Sequence, residues 1–289
     1  MHENRNLILK KKMIDVFVHI HKTGGTTLNW GILHKNYSKE CILDVHKPLT
    51  AKEIALVYLS LSEDNRKRIK LITGHFDFGI HEYINIPCRY FTLIRNPVDR
   101  VVSLYYFVKQ TELGEVFLRT RGYKKEEVDK MNLVDFLESG MFPEANNGQV
   151  RMISGVGRSV NFGEVNEDLL RLAISNLNKY FSVIGITEYF DESLLLMALK
   201  FGWKRIWYTK SNVNTKKPRR KLSEKELCTL QKYNKMDILL YNYVREQFEK
   251  NLRDVRNFEF LLKFYKICNN GIYGSLKKIK NAAKNTILR

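Results

Sequence analysis

Between His19 and Leu28 the chain reads His-Ile-His-Lys-Thr-Gly-Gly-Thr-Thr-Leu, and most of these residue types suit the binding of an anion. Gly24 and Gly25 allow close backbone approach, so consecutive N–H groups can surround a negative group. Lys22 adds a full positive charge, and the start of a helix adds a partial one. Thr23, Thr26 and Thr27 offer hydroxyls to phosphate or sulfate oxygens. A Walker A loop is excluded, because its lysine follows the second glycine and Lys22 precedes both. A second cation, Arg95, sits in Leu93–Tyr106, with Ser103 eight residues later. Arginine can clamp a phosphate with two parallel bonds, and a nearby hydroxyl completes the cradle. A proton acceptor is available in Thr73-Gly74-His75-Phe76, since an imidazole titrates near neutrality. His81 is its rival, Asp77 or Glu82 could take the role if the loop folds differently, and His19 and His21 flank the anion loop.

These groups need a scaffold that gathers them. Ile14–Ile20, Ile69–Thr73, Arg89–Ile94 and Phe181–Ile186 are short β-branched or aromatic runs that predict strands. Helices are predicted from Thr26 to about His34, from Pro97 with Val98, Val101, Val102, Tyr105 and Tyr106 on one face, over Asn166–Lys179, and over Asp191–Phe201. Ser223 and Glu226 form a capping-box pattern that opens a helix running to about Glu249. Strands separated by helices predict an α/β, P-loop-like three-layer fold, with a central, mainly parallel sheet flanked by helices. In such sheets ligands bind at the carboxyl ends of strands, which is where the anion loop, His75 and Arg95 fall. One domain over residues 1–250 is expected, followed by a basic helical extension over 251–289.

The chain has 289 residues, with 49 Lys and Arg against 31 Asp and Glu, a formal charge of +18. A hydrophobic share of 44% excludes a disordered chain. Cys41, Cys88, Cys228 and Cys268 are too scattered for a disulfide scaffold and form no CxxC pair, so no metal is expected. The excess charge is uneven: residues 204–221 hold eight Lys and Arg and no acid, and residues 251–289 carry a net +7. Residues 1–203 contribute only +3. The late segments therefore suit an anionic acceptor or surface. In the tail, Phe258, Phe260, Leu261, Phe264 and Ile267 alternate with Lys263 and Lys266, a pattern that fits either peripheral membrane contact or a helix packed on the body. The only apolar run near the N-terminus is Leu7-Ile8-Leu9, and no window approaches the ~20 apolar residues of a membrane span. A cytoplasmic protein with reduced thiols is the resulting expectation.

Lys22-Thr23-Gly24-Gly25-Thr26-Thr27 after a hydrophobic strand resembles the 5′-phosphosulfate loop of sulfotransferases that use 3′-phosphoadenosine 5′-phosphosulfate (PAPS), in particular the carbohydrate sulfotransferases related to the heparan sulfate 6-O- and 2-O-enzymes. Their usual pattern has Pro or Gln where this chain has His21. Arg95 and Ser103 are spaced like that family's 3′-phosphate motif. Residues 145–152 resemble a stretch that borders the active cleft in the 6-O-enzymes. The resemblance implies in-line transfer of a sulfuryl group from PAPS to a carbohydrate hydroxyl. Lys22, Thr23, Gly24, Gly25, Thr26, Thr27, Arg95 and Ser103 would hold the co-substrate, with Thr215 and Lys216 closing over it. Lys22 and His75 would be the catalytic pair, Asn147 and Gln149 would meet the acceptor, and no metal takes part. Eukaryotic glycosaminoglycan enzymes of the family carry a Golgi anchor, and its absence from this sequence strengthens the cytoplasmic expectation. Two other readings remain at this point: a nucleotide kinase with a variant phosphate loop, and a non-enzymatic polyanion-binding protein. No helix-turn-helix, zinc finger or RNA-binding aromatic motif supports specific nucleic-acid recognition.

Overall fold

Five strands that pair only in parallel form the centre of the computed structural model, which describes residues 12–208 and 221–273. They are β1 (Ile14–Val18), β2 (Ile42–Leu49), β3 (Leu71–Phe76), β4 (Cys88–Ile94) and β5 (Phe181–Ile186), in the order β2-β3-β1-β4-β5. A parallel sheet is covered on both faces, and β1 is buried along its whole length. Its residues alternate between the two sides. Ile14, Val16 and Val18 join one core with Ile72, Tyr90 and Ile94, under the helices Ala51–Leu59, Gly148–Ser154, Glu167–Tyr180 and Lys235–Asp254. Phe17 joins the other with Leu71, Phe91 and Leu93, under Phe190–Phe201 and the helix that follows the anion loop. A third core, with Val101, Leu104, Phe136 and Phe142, lies among Pro97–Gln110 and the short helices after it.

The three-layer α/β expectation is met, with some elements that the sequence did not announce. Strand β2 contains Asp44, Lys47 and Pro48, and a strand with proline and this much polarity belongs at a sheet edge, where it lies. β3 runs on to Phe76, so His75 is a strand residue and not part of a loop. The helix expected from Ser223 to about Glu249 is two helices, Glu224–Tyr233 and Lys235–Asp254. Asn234 breaks it: the side chain is buried and donates to the carbonyls of Ala145 at 3.0 Å and Leu230 at 3.1 Å. Beyond them Phe258–Ile267 packs on the body through Phe258 and Tyr265, whose hydroxyl donates to the Ile206 carbonyl at 3.0 Å.

Candidate active site

β1 ends by delivering the anion loop to the carboxyl edge of the sheet. The loop turns through two left-handed residues, Lys22 (φ 66°) and Gly24 (φ 81°). Between them Thr23 is buried, and its hydroxyl donates to the Ile20 carbonyl at 2.9 Å, which closes the turn. The Thr187 hydroxyl, at the end of β5, donates to the Thr23 carbonyl at 2.6 Å. At Gly25 a β-carbon would stand 2.1 Å from Cδ2 of His19, so only glycine fits there. A helix begins at Gly25–Leu28, continues through a π turn at Asn29–Leu33 and ends at His34–Asn36. Thr26 and Thr27 stand on its first turn, exposed and half-buried respectively.

β4 brings Arg95 to the same edge. Its Nη1 donates to the Lys22 carbonyl at 3.1 Å, so the two cationic residues are linked through the loop backbone. Gln149, fully buried, grips the Arg95 backbone on both sides: Oε1 accepts from the N–H at 2.8 Å and Nε2 donates to the carbonyl at 2.9 Å. The N–H groups of Gln149 and Val150 donate in turn to Asp237 at 3.1 and 2.8 Å. Asp237 faces Arg100 at 3.4 Å, and both side chains are 0% exposed. Burial pushes the Asp237 carboxyl upward against the pull of Arg100 and these N–H groups. Asn147, left-handed at φ 49°, accepts from the Asp237 N–H at 3.0 Å. Asn147 and Gln149, expected at the acceptor, thus lie inside the protein, and Gln149 steadies Arg95 from behind. Ser103 is half-buried on Pro97–Gln110, two turns beyond Asn96, whose side chain caps that helix.

Parallel pairing sets β3 beside β1, with Val18 opposite Gly74, so His75 comes next to His19. Nδ1 of His75 lies 2.6 Å from the His19 carbonyl. A carbonyl can only accept, so Nδ1 carries the hydrogen and the lone pair resides on Nε2. The ring is held between two others. His19 lies at 4.2 Å between centroids, and His21 is stacked on it at 3.9 Å with 10° between planes. Burial first, then the proximity of His75, His19, Arg121 and Arg100, holds His21 well below the usual imidazole range. His81 is elsewhere: it meets the Tyr90 hydroxyl at 2.8 Å and packs on Tyr180. Tyr90 is four residues before the end of β4, about 13 Å from the edge that carries the loop.

Asp77, buried two residues past His75, is held by Arg158 at 3.2 Å, yet burial pushes its carboxyl from the ordinary 3.8 up to about 6. The folded form therefore holds the proton more tightly than the unfolded one. Stability is lost as pH rises from 3.8 to about 6, and the deficit stays constant above that. Asp77→Asn should accordingly gain in melting temperature, relative to wild type, between pH 4 and pH 7. A difference that does not change with pH removes this account.

Lys22 places Nζ 4.1 Å from the centroid of Phe107. On the other side of the loop a cleft of about 380 Å³ is lined by Gly24, Thr27, Thr187, Tyr189, Asp191 and Tyr208, among others. Tyr208 donates to Asp191 at 2.7 Å, and Glu188 accepts from the Asn96 N–H at 3.0 Å. Thr187, Glu188 and Tyr189 were not singled out from sequence, although their position just after a strand was a usable signal. Thr215 and Lys216 lie outside the described residues.

A family profile described as galactose-3-O-sulfotransferase matches residues 8–257, most of the chain. The chain belongs to the galactose-3-O-sulfotransferase family. The expected kinship with carbohydrate sulfotransferases is therefore met. This family member is also 23% identical to human heparan-sulfate 6-O-sulfotransferase 3 over 87% of its own length and 60% of the relative's. The mouse protein of the same name gives 22%, 87% and 61%. The chain thus spans about three-fifths of the length of the curated relatives it matches. The cytoplasmic expectation is corrected by these matches, because heparan-sulfate sulfotransferases are enzymes of the Golgi lumen. It rested on finding no targeting segment in the residues read and on scattered cysteines, and neither fixes a compartment. Among the described residues no helix is long and apolar enough to cross a membrane.

Proposed function

We propose that this protein transfers the sulfuryl group of PAPS to a hydroxyl of a carbohydrate acceptor. The observation that carries the reading is the meeting, at one sheet edge, of a glycine-dependent anion loop and a histidine whose Nδ1 is fixed by a backbone carbonyl. Gly25 lets the His19 ring pack against the loop, where any β-carbon would clash with it, and so brings the loop against the histidine stack. PAPS supplies a mixed anhydride whose sulfur is open to attack by an alcohol. The loop N–H groups and Lys22 hold its 5′ end, Arg95 and Ser103 its 3′-phosphate, and the cleft at the end of β5 its nucleoside.

His75 accepts the acceptor hydroxyl proton at Nε2 while the new O–S bond forms. Lys22 meets the charge on the bridging oxygen as the S–O bond to the 5′-phosphate breaks, releasing adenosine 3′,5′-bisphosphate. Gln149, by fixing the Arg95 backbone, keeps the far anchor in place, and in-line geometry follows from holding both ends. Residues 1–250 would make up this catalytic body. The kinase and polyanion-binding readings are not favoured, because the family match is to sulfotransferases.

Calorimetry with adenosine 3′,5′-bisphosphate tests the reading: the wild-type chain should bind it in preference to ATP. Lys22→Ala should lower kcat by about 10²–10³-fold, the usual loss for one group that stabilises transition-state charge. A folded wild-type protein that ignores the bisphosphate overturns the proposal.

A further inference from the structure

The chain has three tryptophans, and their surroundings differ. Trp203 is buried and donates to the Tyr37 hydroxyl at 3.1 Å, and Trp207 stacks on Tyr265 at 5.5 Å. Trp30 is 54% exposed, one turn beyond the anion loop. Leaving this much indole in water forgoes a burial that aromatic side chains normally obtain. Its orientation is nevertheless fixed, because the ring stacks on His34 at 4.4 Å with 23° between planes.

His34 is held in turn. Its Nε2 lies 3.2 Å from Oδ2 of Asp44, a carboxylate only 13% exposed, and Asn29 donates to the same oxygen at 3.0 Å. The Oδ1 of Asn29 accepts from the Thr73 hydroxyl at 3.1 Å. Asp44 stands opposite Thr73 in the β2–β3 register. Thr73 is two residues before His75 on β3, so both side chains leave the sheet on one face, about 6.6 Å apart along the strand. An unbroken run of contacts therefore links Trp30 to the strand that carries the proton acceptor. The π turn at Asn29–Leu33 sits in the middle of it, and such turns recur where a helix serves a ligand.

We propose that Trp30, backed by His34 and Asp44, is a subsite on which a pyranose ring of the acceptor stacks, beside the sugar whose hydroxyl reaches His75. This rests on the sulfuryl-transfer reading above. A pyranose presents an apolar C–H face ringed by hydroxyls. A fixed indole, backed on one face by the His34 imidazole, matches the C–H side. Because the ring is already oriented, little side-chain freedom is lost when the sugar docks.

Trp30→Ala and Trp30→Phe in the full chain test the subsite, with lactose and a heparan-type hexasaccharide as acceptor probes. Trp30→Ala should weaken binding of the preferred probe, and raise its KM, by about 10-fold or more, as loss of an aromatic anchor does. Trp30→Phe should recover most of it, and the affinity for adenosine 3′,5′-bisphosphate should not change. Acceptor binding within twofold of wild type in Trp30→Ala overturns the proposal. So does a loss confined to the bisphosphate, which assigns Trp30 to the nucleotide, and so does a wild-type chain that binds neither oligosaccharide. Failure of the wild type to bind the bisphosphate is a different result, and it removes the sulfuryl-transfer reading itself.

Discussion

His75→Ala should lower kcat by about 10²–10⁴-fold, the range that a positioned general base contributes. Binding of adenosine 3′,5′-bisphosphate should stay within a few fold, because the co-substrate is assigned to the loop, Arg95 and the β5 cleft. His75→Gln is the sharper variant. Its amide can still donate to the His19 carbonyl, which now accepts from Nδ1 at 2.6 Å, but it cannot take a proton at neutral pH. Loss of activity in both variants separates proton transfer from packing. The stack adds a second signature. His75 lies between His19 and His21, and burial holds His21 well below the usual imidazole range. A base must be unprotonated to act, so kcat/KM should fall on the acid side, and the His75 variants should lose that limb. Rates within tenfold of wild type in His75→Ala would remove the residue from the chemistry.

The anion loop was legible in the sequence because its chemistry is local: lysine, two glycines and three threonines between a strand and a helix need no distant partner to be read. Arg95 was legible for a similar reason, as a cation just past an apolar strand. The choice between His75 and His81 was not legible. Six residues separate them, and only the register of β3 beside β1 shows that one reaches the carboxyl edge while the other packs over the start of β4. Asn147 and Gln149 misled in a different way. Polar residues in a motif suggest contact with a ligand, yet their partners are Arg95, Asn234 and Asp237, and two of these come from about ninety residues further on. Pairings that distant leave no periodic trace. β2 was missed because Asp44, Lys47 and Pro48 erase the alternation by which strands are recognised.

That distant pairing gives the other large effect. Asp237→Ala should destabilise the fold by about 3–5 kcal/mol, the cost of leaving one partner of a buried ion pair behind. Arg100 is 0% exposed and donates to the Glu144 carbonyl at 2.8 Å, so its charge has no route to water when the carboxylate is removed. The N–H groups of Gln149 and Val150 lose their acceptor at the same time. In urea the midpoint should fall while the slope stays near that of wild type, since the surface exposed on unfolding hardly changes. Adding Arg100→Met should restore part of the loss, because the stranded charge goes with it. Asp237→Asn keeps one acceptor for the two N–H groups and should fall between. The site registers the same change: with the start of Gly148–Ser154 loosened, Gln149 no longer fixes the Arg95 backbone. Affinity for adenosine 3′,5′-bisphosphate should therefore drop in Asp237→Asn even where the protein is fully folded. A folded Asp237→Asn with wild-type affinity would show that Arg95 is held by the loop alone, through the Lys22 carbonyl.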